Sequence, residues 1–255
     1  MASAKDIKVA PISAKDAASV VKRIHYSGST AATSSLHLGV FLNGRLEGAM
    51  QFGSPIDKRK VLPLVEDTPW NGFLELNRMA FSENLPRNSE SRALAVAFRL
   101  IKKHYPHIQW VLSFADGAQC GDGTIYRASG FHLTGIRQNK TILKLPNGKV
   151  VTDLTLNVNP QKMGGNASQW KKRGAKPLAG FQLRYIYFLD PTAKERLTVP
   201  ILPFTRIAEM GATMYRGEST RVKQATVGTT DKAAEHHRPT RSNLSQASPK
   251  TQEAD

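Results

Sequence analysis

Residues 86–106, PRNSESRALAVAFRLIKKHYP, constrain the fold of this chain more than any other stretch. Leu94, Ala97, Phe98 and Ile101 fall on one stripe at helical spacing, Asn88 or Ser89 can cap the start, and Lys102 and Lys103 suit the end. Strand candidates stand on both sides: GFLELNRMAF at 72–81 and the apolar WVLSFA at 110–115, which ends on Asp116-Gly117. A helix with one apolar stripe between two apolar strands needs a sheet to bury it, so an α/β fold is expected.

The flanking sequence extends that order. Residues 16–25 read as a helix, with Ala17, Val20, Val21 and Ile24 at helical spacing and Ser13 as its cap. Leu36 to Leu42 and Glu47 to Phe52 are apolar runs joined by Asn43-Gly44, a strong hairpin signal. A short helix over 124–129 closes on Gly130, a strand opens at Phe131 to Arg137, and ILKLPNGKVVTDLTL reads as a second hairpin around Asn147-Gly148. Residues 157–177 (NVNPQKMGGNASQWKKRGAKP) combine Gly-Gly, Pro and a basic cluster and read as a long loop before the last strand, 181–189. From Gly217 large apolar residues almost vanish, so 217–255 is expected to be a disordered basic tail behind a domain of residues 1–216. One sheet flanked by helices satisfies the whole order.

Charge narrows the partners. Lys+Arg 36 against Asp+Glu 20 leaves a formal +16, which attracts polyanions and puts nucleic acid first on charge alone. A single cysteine excludes an intrachain disulfide and a structural zinc knuckle, and points to a reducing, cytoplasmic setting. The opening MASAKDIKVAPISAKD carries charges too often for a signal peptide, and no window approaches the ~20 apolar residues of a membrane span.

Two resemblances follow from particular residues. The element order and the Tyr-x-x-x-Gly-Phe turn at Tyr126 to Phe131 resemble the GNAT N-acyltransferases, which implies a mixed, mostly antiparallel sheet flanked by helices, with donor phosphates at the start of the helix after the fourth strand. More specifically, the chain resembles the Mom DNA-modification family of Mu-like phages. That resemblance rests on His25-Tyr26-Ser27-Gly28, Glu75 to Ala80 (ELNRMA), Pro86 to Ala93 (PRNSESRA), Ser113 to Gly117 (SFADG) and Gly123 to Phe131 (GTIYRASGF), in order across roughly residues 15–190. It implies conversion of the adenine N6 amine in double-stranded DNA to an N6-carbamoylmethyl group, which protects phage DNA from restriction. The same fold also serves acyltransferases acting on protein or small-molecule amines, and a non-catalytic nucleic-acid-binding descendant is a third reading.

Each candidate site residue has a functional and a plain structural reading. Arg87, Asn88, Ser89, Ser91 and Arg92 surround a helix start suited to the phosphates of an acyl-CoA-like donor. The glycine-rich loop usual in GNAT enzymes is absent and Glu90 is acidic, so an ordinary capped helix is the alternative. Strand alternation puts Arg78 on the face of Leu74 and Leu76, where it snorkels from the strand end, pairs with a structural carboxylate, or grips a carbonyl or phosphate oxygen. Asp116 either caps an Asx-type turn or, as the resemblance implies, orients or deprotonates the adenine amine. Tyr126 occupies the place of the GNAT general acid, or is a half-buried aromatic. His25, followed by Tyr26, is a base, a metal ligand or a stacking ring. A metal site of His25 and Asp116 would suit iron or zinc, although no histidine spacing marks one. Lys162, Lys171, Lys172, Arg173 and Lys176 around Trp170 suit DNA phosphates with an aromatic wedge, or form a solvated loop.

Overall fold

The computed structural model describes residues 2–118, 121–212, 214–215 and 218–219. A first strand, β1 (Lys8–Pro11), is followed by helix α1 (Ala14–Ile24), with the Ser13 side chain accepting from Asp16 N–H at its start. β2 (Ser34–Leu42) and β3 (Arg45–Gly53) form the expected hairpin. Asn43 and Gly44 both take positive φ (50° and 78°), the requirement of a two-residue turn that matches strand twist. A short helix α2 (Lys58–Val61) leads to β4 (Phe73–Phe81), α3 (Ser89–His104) and β5 (Trp110–Asp116). α4 (Thr124–Ala128), β6 (His132–Gln138), β7 (Ile142–Lys144), β8 (Val150–Thr152), α5 (Asp153–Val158), α6 (Ala167–Lys172), β9 (Lys176–Pro177), β10 (Phe181–Phe188) and α7 (Thr205–Glu209) follow, and a two-residue antiparallel pair, β11 (Met214–Tyr215) with β12 (Glu218–Ser219), comes last among the described strands.

The main sheet runs β1-β2-β3-β4-β5-β10-β6, and every neighbouring pair is antiparallel except β4 with β5. It is the mixed, mostly antiparallel sheet flanked by helices that was expected. α3 supplies Ala93, Leu94, Ala97, Phe98 and Ile101 to one face, against Met50, Phe52, Leu76 and Leu133. Ala17, Val20 and Val21 of α1 pack with Ala49 and Ala80 on the other. Burial of such side chains is worth about 25 cal/mol per Å² of apolar surface.

Three expectations change. The stretch 157–177 is not a plain loop. Asn166 and Gln169 form a reciprocal capping box that starts α6, and Leu143, Leu145, Val151, Leu156, Ala167 and Ala175 enclose a small second core beside the β8-β7-β9 sheet. The end of the second expected hairpin is helical too, because Thr152 caps α5 by accepting from Thr155 N–H. Asn88 sits at the N-cap of α3 in the left-handed region (φ 69°) and makes no side-chain cap bond. The expected tail, 217–255, lies outside the described residues except for 218–219.

Gly123 opens α4 at φ 83°, and a Cβ there would lie 2.5 Å from the Tyr185 ring. Tyr185 is fully buried and donates its hydroxyl to the Asp122 carbonyl, so the ring has no room to move. Gly123→Ala therefore lowers unfolding stability by about 2–4 kcal/mol, as backbone strain and overpacking add. Denaturant melts test this; a midpoint equal to wild type would mean that α4 can shift as a unit.

Candidate active site

The parallel ladder between β4 and β5 is short. Phe73, Leu74 and Glu75 pair with Trp110, Val111 and Leu112, and there the pairing stops. Beyond it β4 stays paired to β3 as far as Phe81, and β5 to β10 as far as Asp116. The sheet thus opens between residues 76–81 and 113–116, and ligands of α/β sheets collect beyond such strand ends.

A bulge shapes the β4 side of the opening. Gln51 pairs with Arg78 and Phe52 with Leu76, which leaves Asn77 as the extra residue. The bulge reverses the alternation, so Arg78 shares a face with Gln51 and not, as strand period alone suggested, with Leu74 and Leu76. Arg78 Nε donates to the Ser29 carbonyl (2.9 Å) and Nη1 to the Asn77 carbonyl (2.6 Å). Among the described residues it forms no ion pair with a carboxylate. Asn77 is buried and accepts from Ser34 Oγ (2.9 Å), which fixes the bulge to the start of β2.

Around Arg78 lies a polar layer that sequence reasoning did not assemble. Glu75 is half-buried, and desolvation pushes its carboxyl up, against a hydrogen bond with Asn77 and the charge of Arg78. Gln51 is 2% exposed; its Nε2 lies 3.4 Å from His37 Nδ1, and its Oε1 has no partner among the described residues. The available signal was a glutamine inside the apolar second half of β3, in AMQFG.

His25 ends α1 and its ring packs on Tyr26, which is half exposed. Its Nδ1 accepts from Ser27 N–H (3.2 Å), which leaves the proton of the neutral ring on Nε2. Burial, and then the charge of Arg78, lower its pKa to about 4. A base must accept a proton near the working pH, so this His25 is a neutral Nε2–H donor. The folded pKa lies below the unfolded value, so its acid-side cost to stability accrues as pH falls from about 6.5 to about 4 and is constant below that. Nitrogen NMR of the imidazole is expected to give that midpoint of about 4, with Nε2 protonated at neutral pH; a midpoint near 6.5 would place the ring in solvent.

On the β5 side, Asp116 is buried, and its Oδ1 accepts from Ala118 N–H (3.0 Å), the Asx-type turn. Tyr126 is half buried against Phe131 and Tyr185, with ring centroids 5.1 and 5.2 Å away. The iron or zinc site gains no support: among the described residues no group of three or more His, Cys, Asp or Glu can hold a metal ion.

At the start of α3, the N–H groups of Glu90 and Ser91 have no backbone acceptor among the described residues, while Arg87 and Arg92 are exposed. Ser91 Oγ turns back onto the Asn88 carbonyl. Ser89 is not on the surface: it is fully buried, and its Oγ, like that of the fully buried Ser113 on the free half of β5, has no partner among the described residues.

The basic side chains of this cluster all lie on the surface of the small second core, and two of them are engaged there. Trp170 is half-buried: its Nε1 donates to the Met163 carbonyl (2.9 Å) and its ring packs on that core. Lys171 pairs with Asp153 (2.9 Å), and Arg173 bonds the Gly164 carbonyl beneath Trp170. Lys162, Lys172 and Lys176 are exposed.

Residues 6–206 match the Mom protein family. A relative from Escherichia phage Mu, the methylcarbamoylase mom, is 36% identical over 201 residues, covering 77% of this chain and 81% of that protein. The chain belongs to the Mom protein family. Among solved structures, the Escherichia coli ribosomal-protein-S18-alanine N-acetyltransferase is 10% identical, with a TM-score of 0.41 over 72% of this chain and 94% of that one. Arabidopsis thaliana NAA60, solved with a bisubstrate analogue, is 11% identical, with a TM-score of 0.44 over 71% and 97%. In this Mom-family chain the five segments that carry the resemblance fall on the α1–β2 turn, the bulged half of β4, the start of α3, the free end of β5, and α4.

Proposed function

We propose that this protein is a DNA-modifying transferase that converts the adenine N6 amine to N6-carbamoylmethyladenine. The relation to the phage Mu methylcarbamoylase carries the reading, because it extends across 201 residues. The formal +16 supports DNA as the partner.

The adenine amine is a poor nucleophile, since its lone pair is delocalised into the ring, so positioning and proton removal are what the protein must supply. In the reaction an N6–CH₂ bond forms, one proton leaves N6, and the donor's departing group takes the bonding electrons. Asp116 orients the amine and accepts its proton, and Tyr126 protonates the departing group. Arg78 holds the oxygen of the incoming group with the N–H donors that its two carbonyl bonds leave over. His25 and Tyr26 contact the base, which has to leave the duplex stack to be reached. A phosphate-bearing donor fits the free N–H groups of Glu90 and Ser91 between Arg87 and Arg92, with the orphan hydroxyls of Ser89 and Ser113 further in. Lys162, Lys172 and Lys176 add phosphate contacts.

Mass spectrometry of nucleosides from plasmid DNA co-expressed with the protein tests the reading. A deoxyadenosine carrying CH₂CONH₂ in place of an N6 hydrogen is expected. Unmodified DNA together with acylated protein or small-molecule amines would instead identify an N-acyltransferase.

A further inference from the structure

A second basic surface lies away from the 157–177 cluster. Lys58 and Asn71 stand beside Tyr105 and His107 around a cavity of about 330 Å³, with Leu36, Phe73 and Leu74 among its apolar walls. Lys58 Nζ lies 4.8 Å above the Trp70 ring and 3.3 Å from Asn71 Oδ1. Trp70 and Tyr105 are 53% and 42% exposed, so both rings present a face to solvent beside the lysine. Arg59 follows Lys58, and Lys102 and Lys103 precede Tyr105; all three are exposed. The acid among them, Asp57, is taken by Lys60 (2.6 Å).

The position matters as much as the charge. Leu74 precedes Glu75 on β4, and Ser35 and Ser54 of the cavity wall adjoin Ser34 and Gly53, the last pair of the β2–β3 ladder. The cavity therefore adjoins the Glu75 end of the polar layer around Arg78, away from the start of α3 to which β4 runs.

We propose that this cavity and its rim are a DNA-docking surface, with Lys58 and Arg59 on backbone phosphates and the Trp70 and Tyr105 rings stacked on bases of the strand displaced at the target. Lysine and arginine beside exposed aromatic faces are the combination that single-stranded nucleic acid requires. The proposal rests on the reading of the protein as a DNA-modifying enzyme.

Binding of the full chain to a duplex with a short unpaired bubble around one adenine, followed by fluorescence anisotropy at several salt concentrations, tests it alongside modified-nucleoside yield. The Lys58→Gln/Arg59→Gln double variant is expected to reduce the salt slope by about two contacts' worth. Trp70→Ala is expected to weaken binding about 10-fold with the slope retained. Arg59→Gln alone, at an exposed position, guards against misfolding of the double variant and is expected to reduce the slope by about one contact. Wild-type slopes and affinities in all three would overturn the surface while leaving the enzymatic reading intact. Failure of the wild-type chain to bind or modify DNA would overturn both.

Discussion

Arg78→Gln is expected to lower the yield of modified adenine by about 10²- to 10³-fold with little change in melting temperature, the usual cost of removing one positioned donor to developing charge. The structure supplies the reason for expecting an effect so unequal between activity and stability. Arg78 is partly exposed, gives two hydrogen bonds to carbonyls, and has no carboxylate partner among the described residues. A glutamine can still donate to the Ser29 carbonyl, but it brings no charge and no guanidinium fork. Arg78→Lys separates charge from geometry and is expected to recover only part of the loss. If Arg78 only ties the 25–33 turn to β4, yield will follow melting temperature across the two variants and the assignment fails.

Asp116→Asn is the second large effect. Asparagine retains an oxygen that can accept from Ala118 N–H, so the turn after β5 survives and both fold and DNA affinity should remain near wild type. It removes the negative charge and the capacity to take a proton, and modified adenine is then expected to fall by about 10²-fold or more. A stable, DNA-binding variant that modifies adenine at the wild-type level would reduce Asp116 to its role in the turn.

What sequence could and could not reveal follows from the range of the forces involved. α3 and the β2–β3 hairpin were legible because their signals are local: an apolar stripe at helical spacing, and Asn43-Gly44 at the two positions that need positive φ. α6 was legible in principle, through Asn166 and Gln169 at capping-box spacing, but Gly164-Gly165 and the lysines around Trp170 gave a stronger loop signal. The bulge at Asn77 was not legible, since it exists only in the register between β3 and β4, and it overturns the face assigned to Arg78. Glu75 and Gln51 were missed for the same reason: their proximity to Arg78 depends on pairing, not on spacing. The opening between β4 and β5 is likewise a fact of where a ladder ends. Asp116, Tyr126 and the start of α3 could be named from their motifs, yet only the structure separates exposed Arg87 and Arg92 from buried Ser89.

The place of β10 bears on how the chain is made. Phe181–Phe188 lies between β5 and β6, both of which leave the ribosome well before it. Until residues 181–188 emerge, the Trp110 to Asp116 edge of the sheet stays bare and His132 to Gln138 has no strand partner at all, and such segments invite pairing with other chains. The small β8-β7-β9 unit is synthesised in that interval and its core is its own, so it can fold aside while the main sheet waits. Sheet closure is thus a late, long-range step, which makes translation arrest or proteolysis before residue 181 the point at which this chain is most exposed to aggregation.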